Sequence, residues 1–116
     1  MNGFCHIEIP SRDFAKARKF YGDLFIWKFT EMPGMNYLLF NPPDGVGGGF
    51  SQGNELAKKP GVLVHIEVAD IDTTIKKAEK IGGRCLKGKT QITPEYGYFA
   101  ILNDLEGNQI GIWSKK

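Results

Sequence analysis

The tetrapeptide His6-Ile7-Glu8-Ile9 returns as His65-Ile66-Glu67-Val68, and each copy opens the same succession of local patterns. Four matching residues are weak evidence of duplication by themselves. Their weight comes from standing at the head of two equal element orders. In the first half, Phe4 to Ile9 reads as a strand closed by Pro10 and Ser11. Ser11 or Asp13 is placed to cap a helix by accepting its orphan backbone N–H groups. Phe14, Ala17, Phe20, Tyr21 and Leu24 recur at helical spacing, so that helix ends near Leu24 or Phe25. Trp27 to Glu31 then alternates apolar and polar residues, as a half-buried strand does. Turns at Pro33-Gly34 and at Pro42-Pro43-Asp44-Gly45 bound a strand at Tyr37 to Phe40 and lead to a short one around Gly48-Gly49-Phe50.

Ser51 to Gly61 is polar, contains Pro60 and reads as a connector, after which the pattern restarts. Val62 to Val68 is a strand. Asp70 or Asp72 caps a second helix with Ile71, Ile75, Ala78 and Ile81 on one stripe, and Gly82-Gly83 stops it in a conformation that glycine adopts cheaply. Strands follow at Arg84 to Lys87, Tyr98 to Leu102 and Gln109 to Trp113, the last two joined by the turn Asp104-Leu105-Glu106-Gly107. The order is strand, helix and three strands, twice. It predicts an α+β chain of two tandem βαβββ units, 1–53 and 61–116, within the single domain that 116 residues allow.

The remaining composition narrows the function. A net charge of +2 with scattered lysines argues against nucleic acid, and Lys76, Lys77 and Lys80 form the wet face of a helix. Met1 to Pro10 lacks the apolar stretch of a signal peptide, and no later run is long enough to span a bilayer, so a cytoplasmic protein without membrane contact is expected. Cys5 and Cys85 make no disulfide framework and are expected as buried strand thiols. Gly47-Gly48-Gly49 has neither the lysine of a phosphate loop nor dinucleotide-fingerprint spacing. No nucleophile triad is visible, since Cys5 faces away from His6 along one strand.

Several segments together resemble the vicinal-oxygen-chelate superfamily of glyoxalases, bleomycin-resistance proteins and dioxygenases, over essentially the whole chain. Phe20-Tyr21 with Asp23-Leu24-Phe25 and Trp27-Lys28-Phe29 is similar to the family's Phe-Tyr…Leu-Gly-Trp segment, with Ile26 where glycine is usual. Val68-Ala69-Asp70-Ile71-Asp72 resembles its Val-x-Asp-x-Asp helix entry. Asn103 to Asn108 resembles its Asp-Pro-Asp-Gly-Asn turn, with Leu105 in place of proline. The resemblance implies a curved mixed sheet around a cleft, with helices on its convex side. It also implies a homodimer, and a divalent ion such as Ni, Zn, Mn or Fe in the members with metal-dependent activity. There, two first-strand residues (usually His) and two last-strand residues (usually Glu) leave coordination positions open for two adjacent substrate oxygens.

Carried over residue by residue, the two carboxylate positions fall at Gly49 and Gly111, which cannot ligate. The preferred alignment sets Ile9 level with Val68, which treats both halves alike and puts the first-strand positions at Phe4 and Leu63; a count from Asp13 would instead put the first at His6. The chain is therefore read as closest to the glyoxalase-like branch that lacks the usual carboxylates. It is expected to bind a small organic molecule in its cleft with no cofactor, the two glycines leaving room for the ligand.

A second reading is a metal-dependent lyase, isomerase or dioxygenase with a shifted site. Residues two apart share a strand face, so His6 pairs with Glu8 and His65 with Glu67. Those four are candidate metal ligands or general acids and bases. Phe4, His6, Glu8, Tyr37, Gly49, His65, Glu67, Gly111 and Trp113 are the candidate ligand-binding residues. Phe50, Tyr96 and Tyr98 are further aromatics, although Phe50 takes the face opposite Gly49. Ser51 to Pro60 and Gly88 to Tyr96 are expected as mobile flaps. A ferredoxin-like dimeric α+β barrel is the competing fold.

Overall fold

The computed structural model of the chain describes residues 1–52 and 62–116. Most of the expected connector, and of the flap at Ser51 to Pro60, lies outside these residues. The chain divides into two compact units, one on each side of residues 53–61.

The first unit runs β1 (Ile7–Pro10), α1 (Phe14–Leu24), β2 (Lys28–Met32), β3 (Tyr37–Asn41) and β4 (Gly48–Ser51). Its sheet has the order β1-β4-β3-β2, with β1 parallel to β4 and the other pairs antiparallel. Asp13, not Ser11, is the N-cap of α1, and its carboxylate accepts the Ala15 and Lys16 N–H groups. The helix buries Ala17, Phe20 and Tyr21. These aromatic side chains hold α1 to the sheet. The Tyr21 ring lies 5.2 Å from Phe50 and 5.0 Å from Trp27, and Trp27 stacks on Phe40 at 4.3 Å. Leu38, Phe40 and Phe50 complete a core in which each ring carries a large hydrophobic contribution.

The second unit repeats the plan with β5 (His65–Glu67), α2 (Ile71–Lys80), β6 (Arg84–Thr93), β7 (Gly97–Asn103) and β8 (Gln109–Ser114). Its sheet order is β5-β8-β7-β6, again with one parallel pair, β5 with β8. Asp70 caps α2 through the Thr73 N–H, and Gly82 beyond its end has a φ of +102°. α2 comes close to β6, β7 and β8 because its buried positions are the modest side chains Ile71, Thr74 and Ala78. Ala100, Leu102, Ile110 and Ile112 are buried against it. The βαβββ order is thus present twice, and each copy builds its own four-stranded mixed sheet.

The register corrects one step of the sequence argument. Pairing sets Glu8 beside Gly49 and Ile9 beside Phe50 in one unit, and His65 beside Gly111 and Ile66 beside Ile112 in the other. The capping residues Asp13 and Asp70 stand in the same relation to these strands. The equivalent of Glu8 is therefore His65, and the equivalent of His6 is Leu63. The His-Ile-Glu echo is displaced by two residues from the structural repeat. Because two residues is the period of a strand, the slip leaves every side chain on its original face.

Several local expectations also change. Phe4 and Cys5 precede β1 and are exposed, so Cys5 is not a buried thiol; Cys85 is half-buried in β6. Burial pushes the Cys85 thiol up from its ordinary value, and the Glu79 charge adds to the shift. The predicted flap from Gly88 is strand as far as Thr93, with Thr90, Gln91 and Thr93 paired to β7 across register shifts. Its weak alternation reflects those irregularities rather than a loop. Ile81 is the C-cap of α2, and Thr74 takes a buried place on its stripe by donating its hydroxyl to the Asp70 carbonyl.

Candidate functional site

Strand alternation gives each sheet one helix-facing side and one open side. In the first unit Ile9, Phe50, Leu38, Phe40 and Phe29 share the helix side, so Glu8, Gly49, Tyr37 and Leu39 belong to the open side. In the second unit Ile66, Ile112, Ala100 and Leu102 share the helix side. His65, Glu67, Gly111, Trp113, Phe99 and Ile101 take the open one.

The two glycines on the open sides are covered, which corrects the expectation that they leave room for a ligand. A Cβ placed on Gly49 would overlap the outer part of the Tyr37 ring, and one placed on Gly111 would overlap the His65 ring. Tyr37 sits opposite Ser51, two residues beyond Gly49, on the strand that flanks β4 opposite β1. To reach β1 its side chain must cross β4, and β1 and β3 stand two strand spacings, about 10 Å, apart. Only a residue without a side chain at 49 permits that crossing. His65 reaches its glycine from the other direction, as the direct partner of Gly111, and meets the edge of Phe99 at 6.3 Å.

The crossing ends in a polar cluster. Tyr37 Oη lies 2.6 Å from His6 Nε2 and donates to Glu8 Oε2 at 3.1 Å. The imidazole and phenol planes are 16° apart. Burial raises the Tyr37 pKa above its ordinary value, and the hydrogen bond to Glu8 and that carboxylate's charge raise it further. His6, Glu8, Tyr37 and Gly49 are thus brought together. Phe4 is not, being 88% exposed ahead of the strand.

In the second unit His65, Gly111 and Phe99 form the corresponding group. Phe99 occupies the place of Tyr37 but has no hydroxyl. The Lys87 ammonium stands 5.4 Å over the Phe99 ring. Trp113 is half-buried, and its indole N–H donates to the Tyr96 carbonyl at 2.7 Å. Phe99 is the open-face aromatic that sequence reasoning missed, although its alternation with buried Ala100 was legible. Elsewhere, a shallow hollow of about 460 Å³ lies at the β2–β3 turn, lined by residues that include Phe14, Met32, Asn36 and Tyr37.

Neither carboxylate position of the metal-dependent pattern carries a donor, and both are packed over by rings. With the register above, the four family positions read His6, Gly49, Leu63 and Gly111. One donor in four does not fit the standard ion site. Among the described residues, no three His, Cys, Asp or Glu side chains gather as a metal-binding group.

Comparison with known proteins agrees with this framework. The family model described as "Glyoxalase/Bleomycin resistance protein/Dioxygenase superfamily" matches residues 3–112. The chain belongs to that superfamily. It is 32% identical to a glyoxylase-like domain-containing protein of Didymella fabae, over 94% of this chain and 91% of that protein. Among solved structures it resembles a glyoxalase/bleomycin resistance protein/dioxygenase family enzyme from Burkholderia phytofirmans, with a TM-score of 0.77 and 19% identity over 96% of this chain and 97% of that one. A mutant fosfomycin resistance protein from Listeria monocytogenes, complexed with Mn(II) and 1S,2S-dihydroxypropylphosphonic acid, has a TM-score of 0.81 and 15% identity over 97% of this chain and 90% of that one. At such identities the two structures establish the shared fold. That fold also replaces the competing ferredoxin-like barrel.

Proposed function

We propose that this superfamily member binds a small organic molecule on the open, non-helix faces of its sheets, without the family's standard metal quartet. The observation that carries the reading is the covering of Gly49 and Gly111 by Tyr37 and His65. Where metal-dependent relatives place carboxylates, this chain places rings that offer flat apolar surface with a few polar groups, the usual composition of a small-molecule site.

The test is titration of metal-stripped protein with Ni, Zn, Mn and Fe, beside a His6→Ala, His65→Ala double variant, and a fragment screen by NMR. Fragment binding with no stoichiometric metal uptake supports the proposal. Tight one-to-one metal binding lost in the double variant would overturn it in favour of a metal-dependent lyase, isomerase or dioxygenase.

The proposal includes a homodimer, supported by the exposed Leu86, Ile92 and Tyr96 on and beside the sheet-edge strand β6. A monomeric mass in light scattering at micromolar concentration would refute that part. No helix among the described residues is long and apolar enough to cross a membrane.

A further inference from the structure

The direction of the hydrogen bonds at Tyr37 determines what His6 presents to its surroundings. A tyrosine hydroxyl has one hydrogen, and a carboxylate can only accept. Tyr37 spends that hydrogen on Glu8 Oε2, so at the 2.6 Å contact with His6 its oxygen accepts. Nε2 of His6 must then carry the proton. In a neutral imidazole the other nitrogen, Nδ1, is left as a lone-pair acceptor. The relay His6 Nε2–H to Tyr37 Oη–H to Glu8 thus fixes one tautomer, and each bond polarises the next.

We propose that His6 Nδ1 is the recognition point of a binding site in the first unit for an organic molecule bearing a phenolic, enolic or amide hydrogen-bond donor, with Tyr37 as its positioning residue. The site deepens, and rests on, the small-molecule reading above. Three features support it. His6 is exposed, so a ligand can approach the imidazole. The imidazole and phenol lie 16° from parallel, which gives a planar ligand a flat neighbouring surface. The third is that the relay is absent from the second unit. There Phe99 replaces Tyr37, Leu63 replaces His6, and His65 lies over its own glycine. The duplicated scaffold therefore folds without the relay, which identifies the hydroxyl and imidazole of the first unit as additions to the scaffold.

The experiment uses the ¹⁵N-labelled full chain at pH 8.5, where an ordinary imidazole is neutral. Long-range ¹H–¹⁵N spectra report the His6 tautomer. 2-Naphthol is then titrated as the donor probe, with 2-methoxynaphthalene as the control of matching shape and no donor. The expected result is an Nε2–H tautomer, a saturable shift at His6 Nδ1 with 2-naphthol, and none with the methyl ether. Tyr37→Phe keeps the ring over Gly49 and is expected to mix the tautomers and weaken 2-naphthol at least five-fold.

An Nδ1–H tautomer in the parent protein, equal binding of the methyl ether, or unchanged affinity in Tyr37→Phe would overturn the proposal. Saturable 2-naphthol shifts confined to the second sheet would overturn this site and leave the small-molecule reading standing. A fragment screen with no binder would fail that reading separately.

Discussion

Gly48→Ala tests the packing argument where two simple expectations have opposite signs. Gly48 is not among the glycines of positive φ, so its backbone accepts alanine. By chain entropy alone, such a replacement stabilises a protein by about 0.4–1 kcal/mol. The structure predicts the reverse. A Cβ on Gly48 would lie 2.7 Å from the carbonyl carbon and 2.8 Å from the amide nitrogen of Ile7, and nearer still to its oxygen. These are backbone atoms of the paired strand and cannot rotate away, so β1 must move off β4, its sole ladder neighbour among the described residues. Losing about two ladder hydrogen bonds at about 1 kcal/mol each, with an overpacking cost of about 1–3 kcal/mol, outweighs the entropic gain. The net destabilisation is about 3 kcal/mol. For a urea slope of about 1.5 kcal/mol/M, the midpoint falls by about 2 M.

Urea unfolding followed by circular dichroism measures the shift, and amide exchange at Ile7, Glu8 and Phe50 shows whether β1 has loosened. Gly88→Ala is the control. It has a permissive backbone and nothing within 4 Å of an added Cβ, so only the entropic term applies and its midpoint should rise by about 0.3–0.7 M. A Gly48→Ala midpoint equal to or above the parent's would refute the close-approach reasoning.

Phe50→Ala removes a 1%-exposed ring in contact with Tyr21, Phe29 and Phe40, and should cost about 3–5 kcal/mol by denaturant unfolding. A loss under 1 kcal/mol would contradict that core. Tyr37 titrates above its ordinary value when folded, so its contribution to stability is present below the unfolded pKa near 10 and is lost as pH rises through the folded value. Unfolding free energy measured across that alkaline range should therefore fall more steeply in the parent than in Tyr37→Phe, and equal slopes would contradict the shift. Asp70 is shifted the other way, its carboxylate held low chiefly by the Thr73 N–H. Its contribution is present above the unfolded pKa and lost as pH falls through the folded one, so Asp70→Ala should flatten the acid limb of the stability curve.

Whatever depends on neighbours along the chain was legible in the order of the amino acids. The βαβββ order was legible twice because helical and strand periodicities, a capping residue at Ser11 or Asp13 and at Asp70 or Asp72, and the stop at Gly82-Gly83 are local signals. So were the opposed faces within each strand, since alternation alone sets Glu8 opposite Ile9 and Gly49 opposite Phe50. The family resemblance, carried over residue by residue, also put glycine at both of the positions where it implies carboxylates.

What remained depended on register and on which strand lies beside which, and these are set when the strands pair. Local identity placed His6 level with His65, but strand pairing places Glu8 there, because a two-residue slip keeps every face and so leaves no trace in the hydrophobic pattern. The irregular pairing of β6 with β7 similarly weakened the alternation that would have marked Gly88 to Thr93 as strand. Tyr37, His6 and Glu8 carry no common motif. They meet because β4 runs between β1 and β3 with a glycine at the crossing point, so that a phenol from one strand can pass over it to the carboxylate and imidazole beyond.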